Sequence, residues 1–179
     1  ECIQDYLTKA KIVAIEGLDT RALTRHLREK GSQQAVITHV DANRESAVKQ
    51  ARQGQSIIGR DLVAEVTSKR SYEWEASSGE WMPDVVPVRA RSERRKPWRV
   101  VAYDFGVKHN ILRMLAERGC KITVVPAQTS AEEALALNPD GIFLSNGPGD
   151  PAPCDYAIAA IKRFIALKIP TFGICLGHQ

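Results

Sequence analysis

The second half of the chain alternates short apolar runs with segments whose apolar residues recur at helical spacing. Four runs have the length and composition of buried strands, and they lie at 100–103, 121–125, 142–144 and 171–174. In the first interval Ile111, Leu112 and Leu115 fall on one side of a helix. Strand and helix alternating through short turns predict an α/β fold with a parallel sheet covered by helices on both faces.

The first part of the chain predicts a smaller unit of the same class. Apolar runs at 12–15 and 35–38 predict strands, Asp19 and Gly31 bound a helix between them, and a second amphipathic helix is expected at 43–53. Three arginines lie on one face of the first helix, at positions 21, 25 and 28, which suits either a solvated basic face or a docking surface for a partner.

A change of composition separates the two parts. Prolines at 83, 87 and 97 accompany a dense run of basic residues. We therefore predict a smaller α/β domain at 1–82, a linker at 83–97 and the parallel-sheet domain at 98–179.

Charge adds little to this organisation. The net charge is +4, and much of the basic excess falls within eleven residues, at Arg89, Arg91, Arg94, Arg95, Lys96 and Arg99. No aromatic platform accompanies these charges, so we expect a solvated linker and no nucleic-acid partner. No apolar run approaches the roughly 18 residues needed to span a bilayer, and the N-terminus lacks the form of a secretory signal. We expect a cytoplasmic protein without a membrane partner.

One of the four cysteines lies in a pattern that carries chemistry. The spacing of Cys2, Cys120, Cys154 and Cys175 is irregular and contains no C-x-x-C, so neither a disulfide scaffold nor a zinc site is indicated. Cys175, however, is the centre of a G-x-C-x-G between a strand and a predicted helix. This is the thiol counterpart of the nucleophile elbow, in which a strained turn projects the nucleophile above the sheet. The start of a helix there favours the thiolate.

A second loop lies at the carboxyl end of the preceding strand. Residues 145–151 read Ser-Asn-Gly-Pro-Gly-Asp-Pro. Glycines let backbone N–H groups approach a ligand, and prolines make the loop rigid. Because ligands of parallel sheets bind beyond the carboxyl ends of the strands, this loop and the elbow are expected to form one site.

These motifs resemble known families at two levels. Residues 143–151 and 172–179 together resemble the class I (triad) glutamine amidotransferases. The stretches 17–24, 101–108 and 152–156 are similar, more narrowly, to the carbamoyl-phosphate synthase small-chain family. The similarity covers nearly the whole chain and is weakest at about 68–97. The amidotransferases of anthranilate and GMP synthesis resemble only the second half.

The resemblance implies a role for each residue of the site. Cys175 would attack the side-chain amide of L-glutamine, giving a γ-glutamyl thioester and ammonia. Gly147 and Leu176 would supply N–H groups to the oxyanion, and Gly149 and Gln179 would help to bind glutamine. This chain would hold no cofactor or metal. ATP and Mg²⁺ would bind the large partner subunit, which uses the ammonia with bicarbonate to make carbamoyl phosphate for arginine and pyrimidine synthesis.

The same resemblance implies that both domains are incomplete. Family members begin before Glu1, and their catalytic His and Glu lie beyond Gln179, so we expect the chain alone to be inactive. His178 follows the nucleophile on the same helix and is expected to be structural, since a base must reach the thiol with suitable geometry.

Two other classes of function remain open at this stage. One is a non-catalytic binding or regulatory module that keeps the amidotransferase fold, and a His-x-Glu pair downstream of Gln179 would argue against it. The other is a thiol hydrolase of the α/β type, which shares the elbow but lacks the loop at 146–151.

Overall fold

The computed structural model describes residues 2–40, 43–76 and 96–179. Contacts along the backbone divide the chain into two units, Glu1–Ser56 and Ile57–Gln179. This division falls well before the predicted boundary at 82, because residues 57–76 belong with the sheet. The predicted linker at 83–97 lies outside the described residues, apart from Lys96 and Pro97.

The first unit consists of helices α1 (Ile3–Lys9), α2 (Thr20–Lys30) and α3 (Arg44–Gln53). The two predicted helices are confirmed as α2 and α3. The predicted start of α2 is confirmed too, since the Asp19 carboxylate caps it by accepting a hydrogen bond from the N–H of Ala22 at 2.9 Å. The strands predicted at 12–15 and 35–38 are wrong, because neither segment is a strand. An apolar run favours burial, but a strand also needs a hydrogen-bonded neighbour, and Ile15 remains 61% exposed.

Within its described residues, the second unit is built on a five-stranded sheet. Its strands are β1 (Tyr72–Trp74), β2 (Trp98–Asp104), β3 (Cys120–Pro126), β4 (Gly141–Leu144) and β5 (Thr171–Gly173), in the spatial order β1-β3-β2-β4-β5. The four strands predicted in this half pair in parallel, as expected. The short edge strand β1 was not predicted and pairs with β3 in the antiparallel sense.

The remaining helices are α4 (Val63–Val66), α5 (His109–Glu117), α6 (Ala131–Ala136) and α7 (Asp155–Ala166). On one face of the sheet, Leu112 of α5 is fully buried in a cluster with Ile122 and Phe143. On the other face, Phe164 of α7 packs edge-on against Tyr103, with ring centroids 5.8 Å apart. The predicted α/β fold, with helices on both faces of a parallel sheet, is confirmed.

The strand order places a switch point beside β2. The chain passes from β2 to β3 on one side, then crosses to β4 on the other side of β2. Connections on the two sides diverge there, which opens a crevice beyond the carboxyl ends of β2 and β4. The segment that follows β2, 105–108, and the predicted loop at 145–151 both lie at this crevice.

A capping box begins α6 and supports a stability prediction. The Ser130 hydroxyl accepts a hydrogen bond from the N–H of Glu133, and the Glu133 carboxylate accepts one from the N–H of Ser130 at 2.9 Å. Replacing Ser130 with alanine should cost about 1 kcal/mol. Hydrogen exchange of the α6 amides in the full-length protein should therefore quicken about fivefold. Thr129→Ala is the matched control and should leave the exchange rates unchanged, whereas equal rates in both variants would contradict the prediction.

Candidate active site

Cys175 lies on a strained turn directly after β5. Its φ of 53° falls in the left-handed region, which is unfavourable for a residue with a side chain. The preceding Ile174 is extended, and one turn of 3-10 helix, Cys175–Gly177, follows. The turn is closed by the N–H groups of His178 and Gln179, which donate to the carbonyl oxygen of Cys175 at 3.0 and 3.1 Å. The chain thus passes from a strand into a tight turn at Cys175, as predicted for the elbow. The cysteine is also exposed.

The two glycines of the elbow allow very close backbone contact. A Cβ at Gly177 would overlap the carbonyl group of Leu144, at the end of β4, and a Cβ at Gly173 would overlap the carbonyl of Gly177. The N–H of Gly177 donates to the carbonyl oxygen of Ser145 at 3.1 Å. The turn that carries Cys175 is thereby fixed against the start of the 145–151 loop.

Two polar side chains hold that loop against the end of β2. The hydroxyl of Ser145, which is fully buried, accepts a hydrogen bond from the N–H of Phe105 at 2.9 Å. The amide of Asn146 donates to the carbonyl oxygen of Gly106 at 3.0 Å and accepts from the N–H of Lys108 at 3.1 Å. Glycine and proline predicted a rigid loop from the sequence, but these two hydrogen-bonding side chains were not predicted. Polar residues immediately after a buried strand were the available signal.

Gly147 brings the loop to the elbow. A Cβ at Gly147 would collide with Phe105 on one side and would come within 2.8 Å of the Leu176 side chain on the other. Gly147 and Leu176, the two predicted oxyanion donors, are therefore in contact. Within the described part of the chain, no group accepts a hydrogen bond from the N–H of either residue.

The two residues predicted to bind glutamine are positioned by different contacts. Gly149 has a φ of 85° and lies against Leu62. Gln179 is exposed at the end of the elbow turn. Next to Gly149, the Asp150 carboxylate accepts hydrogen bonds from the N–H of Ala152 at 2.9 Å and of Gly59 at 3.0 Å. These two bonds lower the pKa of Asp150, so its carboxylate is ionised near neutral pH and can accept both bonds.

The second unit contains a cavity beside the elbow turn. It measures about 430 Å³ and lies between α7 and residues 176–179, and its lining is mainly apolar. Cys175 is not part of that lining. Ile158 and Ile165 of α7 line the cavity, and Ile165 is 64% exposed. Cys175 itself is exposed.

The environments of the cysteines differ. Burial raises the pKa of Cys154, and burial also raises the pKa of Cys120, so both thiols remain protonated near neutral pH. Cys2 is exposed at the start of α1, where its sulfur accepts a long hydrogen bond from the N–H of Asp5.

Across the described ranges, no group of three His, Cys, Asp or Glu side chains is placed to hold a metal ion. In the same ranges, no helix has the length and apolar character needed to cross a membrane.

Comparison with known proteins agrees with this geometry. Residues 101–179 match the family described as glutamine amidotransferase class-I, and residues 1–37 match the carbamoyl-phosphate synthase small chain, CPSase domain. The full chain is 56% identical to the carbamoyl phosphate synthase small chain of Salmonella typhimurium. It is 57% identical to that of Pseudomonas aeruginosa and 54% identical to that of Escherichia coli K12, in alignments that cover the whole chain.

The parallel sheet with a cysteine elbow is a class I glutamine amidotransferase fold. The chain belongs to the carbamoyl-phosphate synthase small-chain family. It spans about half the length of these relatives, 47% of each of the three.

Proposed function

We propose that this chain is part of the glutaminase subunit of a carbamoyl-phosphate synthase. One observation carries the proposal: the Cys175 elbow and the Gly147 loop meet at the carboxyl ends of β4 and β5, with the Gly177 N–H bonded to Ser145. A cysteine with a strained backbone, on a turn that touches a loop with an N–H group left without an acceptor among the described residues, suits acyl transfer from an amide. The family relationship supports glutamine as the amide.

In the proposed reaction the Cys175 thiolate adds to the side-chain amide carbon of glutamine. A C–S bond forms and the carbonyl electron pair moves onto oxygen, where the N–H groups of Gly147 and Leu176 would stabilise it. Collapse of this intermediate breaks the C–N bond, and the protonated nitrogen leaves as ammonia. Water then hydrolyses the γ-glutamyl thioester to glutamate. Gly149 and Gln179 would hold the substrate in position.

The ammonia would pass to a large synthetase subunit in the cytoplasm. That partner would bind ATP and Mg²⁺ and combine ammonia with bicarbonate. The proton transfers of the glutaminase step would use a His and a Glu that the resemblance places beyond residue 179. On this proposal the 179-residue chain carries the nucleophile and oxyanion donors but lacks the base, so it should not hydrolyse glutamine by itself.

The test separates the reactivity of the cysteine from turnover. The 179-residue chain and the full-length protein are treated with iodoacetamide near neutral pH, and the labelled cysteines are mapped by mass spectrometry. Cys175 should be labelled first in both, because it is exposed on the elbow, while burial raises the pKa of Cys120 and Cys154. Cys2, exposed on α1, is the internal comparison. Ammonia release should be measurable only from the full-length protein.

Each other outcome has a definite meaning. Preferential labelling of Cys120 or Cys154 in folded protein would exclude an activated nucleophile at Cys175. Cys175-dependent ammonia release from the 179-residue chain would make His178 the base. A full-length protein that binds its large partner but releases no ammonia would favour the non-catalytic binding module.

A further inference from the structure

A segment just before β1 crosses the carboxyl edge of the sheet and touches the loops that carry the site. We define residues 57–68 as the strap. It contains α4, and Val63 at its centre is fully buried in the main core. The strap belongs to the same compact unit as the sheet. The sequence predicted no role in the candidate active site for any residue of the strap.

The strap contacts the loop at 145–151 at two points. We call this loop the glutamine-binding loop, after the role proposed for Gly149. The N–H of Gly59 donates to the Asp150 carboxylate at 3.0 Å. The side chain of Leu62 lies against Gly149, so closely that a Cβ added there would come within 3.2 Å of the Leu62 Cδ1. Gly149 has a φ of 85°, a conformation accessible to glycine and unfavourable for other residues. A flexible residue is thus held in a defined place by a neighbouring side chain.

Three further bonds fix the strap itself. The Asp61 carboxylate accepts a hydrogen bond from the hydroxyl of Tyr156 in α7, with both O···O distances at 3.1 Å. The Thr67 hydroxyl accepts from the N–H of Ala127, after β3, at 2.9 Å. The N–H of Ser68 donates to the Asp104 carboxylate, at the end of β2, at 2.9 Å. The strap is therefore tied to the ends of β2 and β3 and to α7, and the loop that carries Gly149 lies against it.

From this arrangement we propose that the strap positions the glutamine-binding loop, with Leu62 as the positioning residue that holds Gly149. The proposal rests on the function proposed above. On this proposal Leu62 acts on substrate through Gly149, the residue against which its side chain lies. Loss of its side chain should leave the thiol chemistry largely intact and weaken the binding of glutamine, because a displacement of about 1 Å in a positioned group commonly costs a large factor in kcat/KM.

The experiment uses the full-length protein assembled with its large partner. Leu62→Ala should raise the KM for glutamine about tenfold, with a much smaller change in kcat. Leu62→Met, which nearly conserves the volume, should return KM to within about twofold of the original value. Glu65→Gln is the matched control on the same strap: it pairs with the exposed Arg60 and should leave both constants unchanged. Synthesis driven by added ammonia should be the same in all four proteins.

A second measurement does not depend on turnover. Amide hydrogen exchange of the peptide that contains 147–150 should quicken in Leu62→Ala and remain unchanged in Glu65→Gln. Unchanged KM together with unchanged exchange, in a protein that hydrolyses glutamine normally, would overturn the role of the strap. A lowered melting temperature with unchanged KM would reduce Leu62 to a packing residue. If the unaltered protein showed no Cys175-dependent hydrolysis, the proposed function would be wrong. The hydrogen-exchange measurement would still show whether Leu62 holds the loop, because it does not depend on glutamine turnover.

Discussion

Replacing Cys175 with serine in the full-length protein is expected to lower glutamine hydrolysis by about four orders of magnitude or more. The strained backbone at φ 53° holds the side chain above the sheet, and serine would keep that geometry. Its hydroxyl, however, is far less acidic than a thiol and is a poor nucleophile without a base matched to it. The measurement is ammonia release from glutamine by the protein and its large partner, beside carbamoyl phosphate formation from added ammonia.

The control for this substitution lies elsewhere in the same unit. Cys120→Ser makes the same chemical change at a half-buried cysteine that begins β3. Both rates should stay within a few fold of the original, since that sulfur is remote from the elbow turn. Added ammonia should still support synthesis in Cys175→Ser, because the large partner would carry that step. Glutamine hydrolysis within tenfold of the original in Cys175→Ser would exclude Cys175 as the nucleophile.

Gly177→Ala is expected to reduce kcat/KM for glutamine by about a hundredfold. The added Cβ would overlap the carbonyl group of Leu144 and come within 2.7 Å of the carbonyl oxygen of Ser145. Both are backbone atoms of β4 and its loop, so they cannot move aside as the end of a flexible side chain can. The elbow must shift instead, and the Gly177–Ser145 hydrogen bond that fixes it to the loop would be lost. Steady-state kinetics in glutamine measures the effect.

A second glycine separates local displacement from general destabilisation. Gly119→Ala introduces a side chain at a φ of 83°, between α5 and β3, where nothing lies within 4 Å of the new Cβ. This change should lower stability by about 1 kcal/mol through backbone strain and leave the kinetic constants unaltered. Equal kinetic losses in the two variants would mean that Gly177 acts through stability alone. Cys175 labelling by iodoacetamide should slow only in Gly177→Ala.

The sequence predicted the strands of the sheet well and the strands of the first unit wrongly, for one physical reason. In the second unit each predicted apolar run alternates with a helix at regular intervals, so each of the four predicted strands has a parallel neighbour to bond with. In the first unit the runs at 12–15 and 35–38 have the same apolar character, yet neither forms a strand. Composition shows that a segment favours burial, whereas strand pairing depends on which other segments lie beside it.

The sequence by itself determined the local geometry of the turn that carries Cys175. G-x-C-x-G after a strand specifies the elbow because only glycines permit the overlap of backbones found at Gly173 and Gly177. The same holds at Gly147, which any side chain would push away from Phe105. These are short-range requirements, and they can be read from spacing and residue type.

Only the tertiary structure decided how the site is held together. The hydrogen bond between Gly59 and Asp150 joins residues 91 positions apart, and the pair Asp61 and Tyr156 is separated by 95. Nothing in the local sequence of 57–68 indicates a segment that would cross the carboxyl edge of a sheet. Its position follows from the burial of Val63 and from carboxylates that accept backbone and hydroxyl donors across the fold. Such contacts form only when segments far apart in the sequence meet in the folded chain. The hydrophobic and polar pattern of 57–68 therefore did not predict the strap.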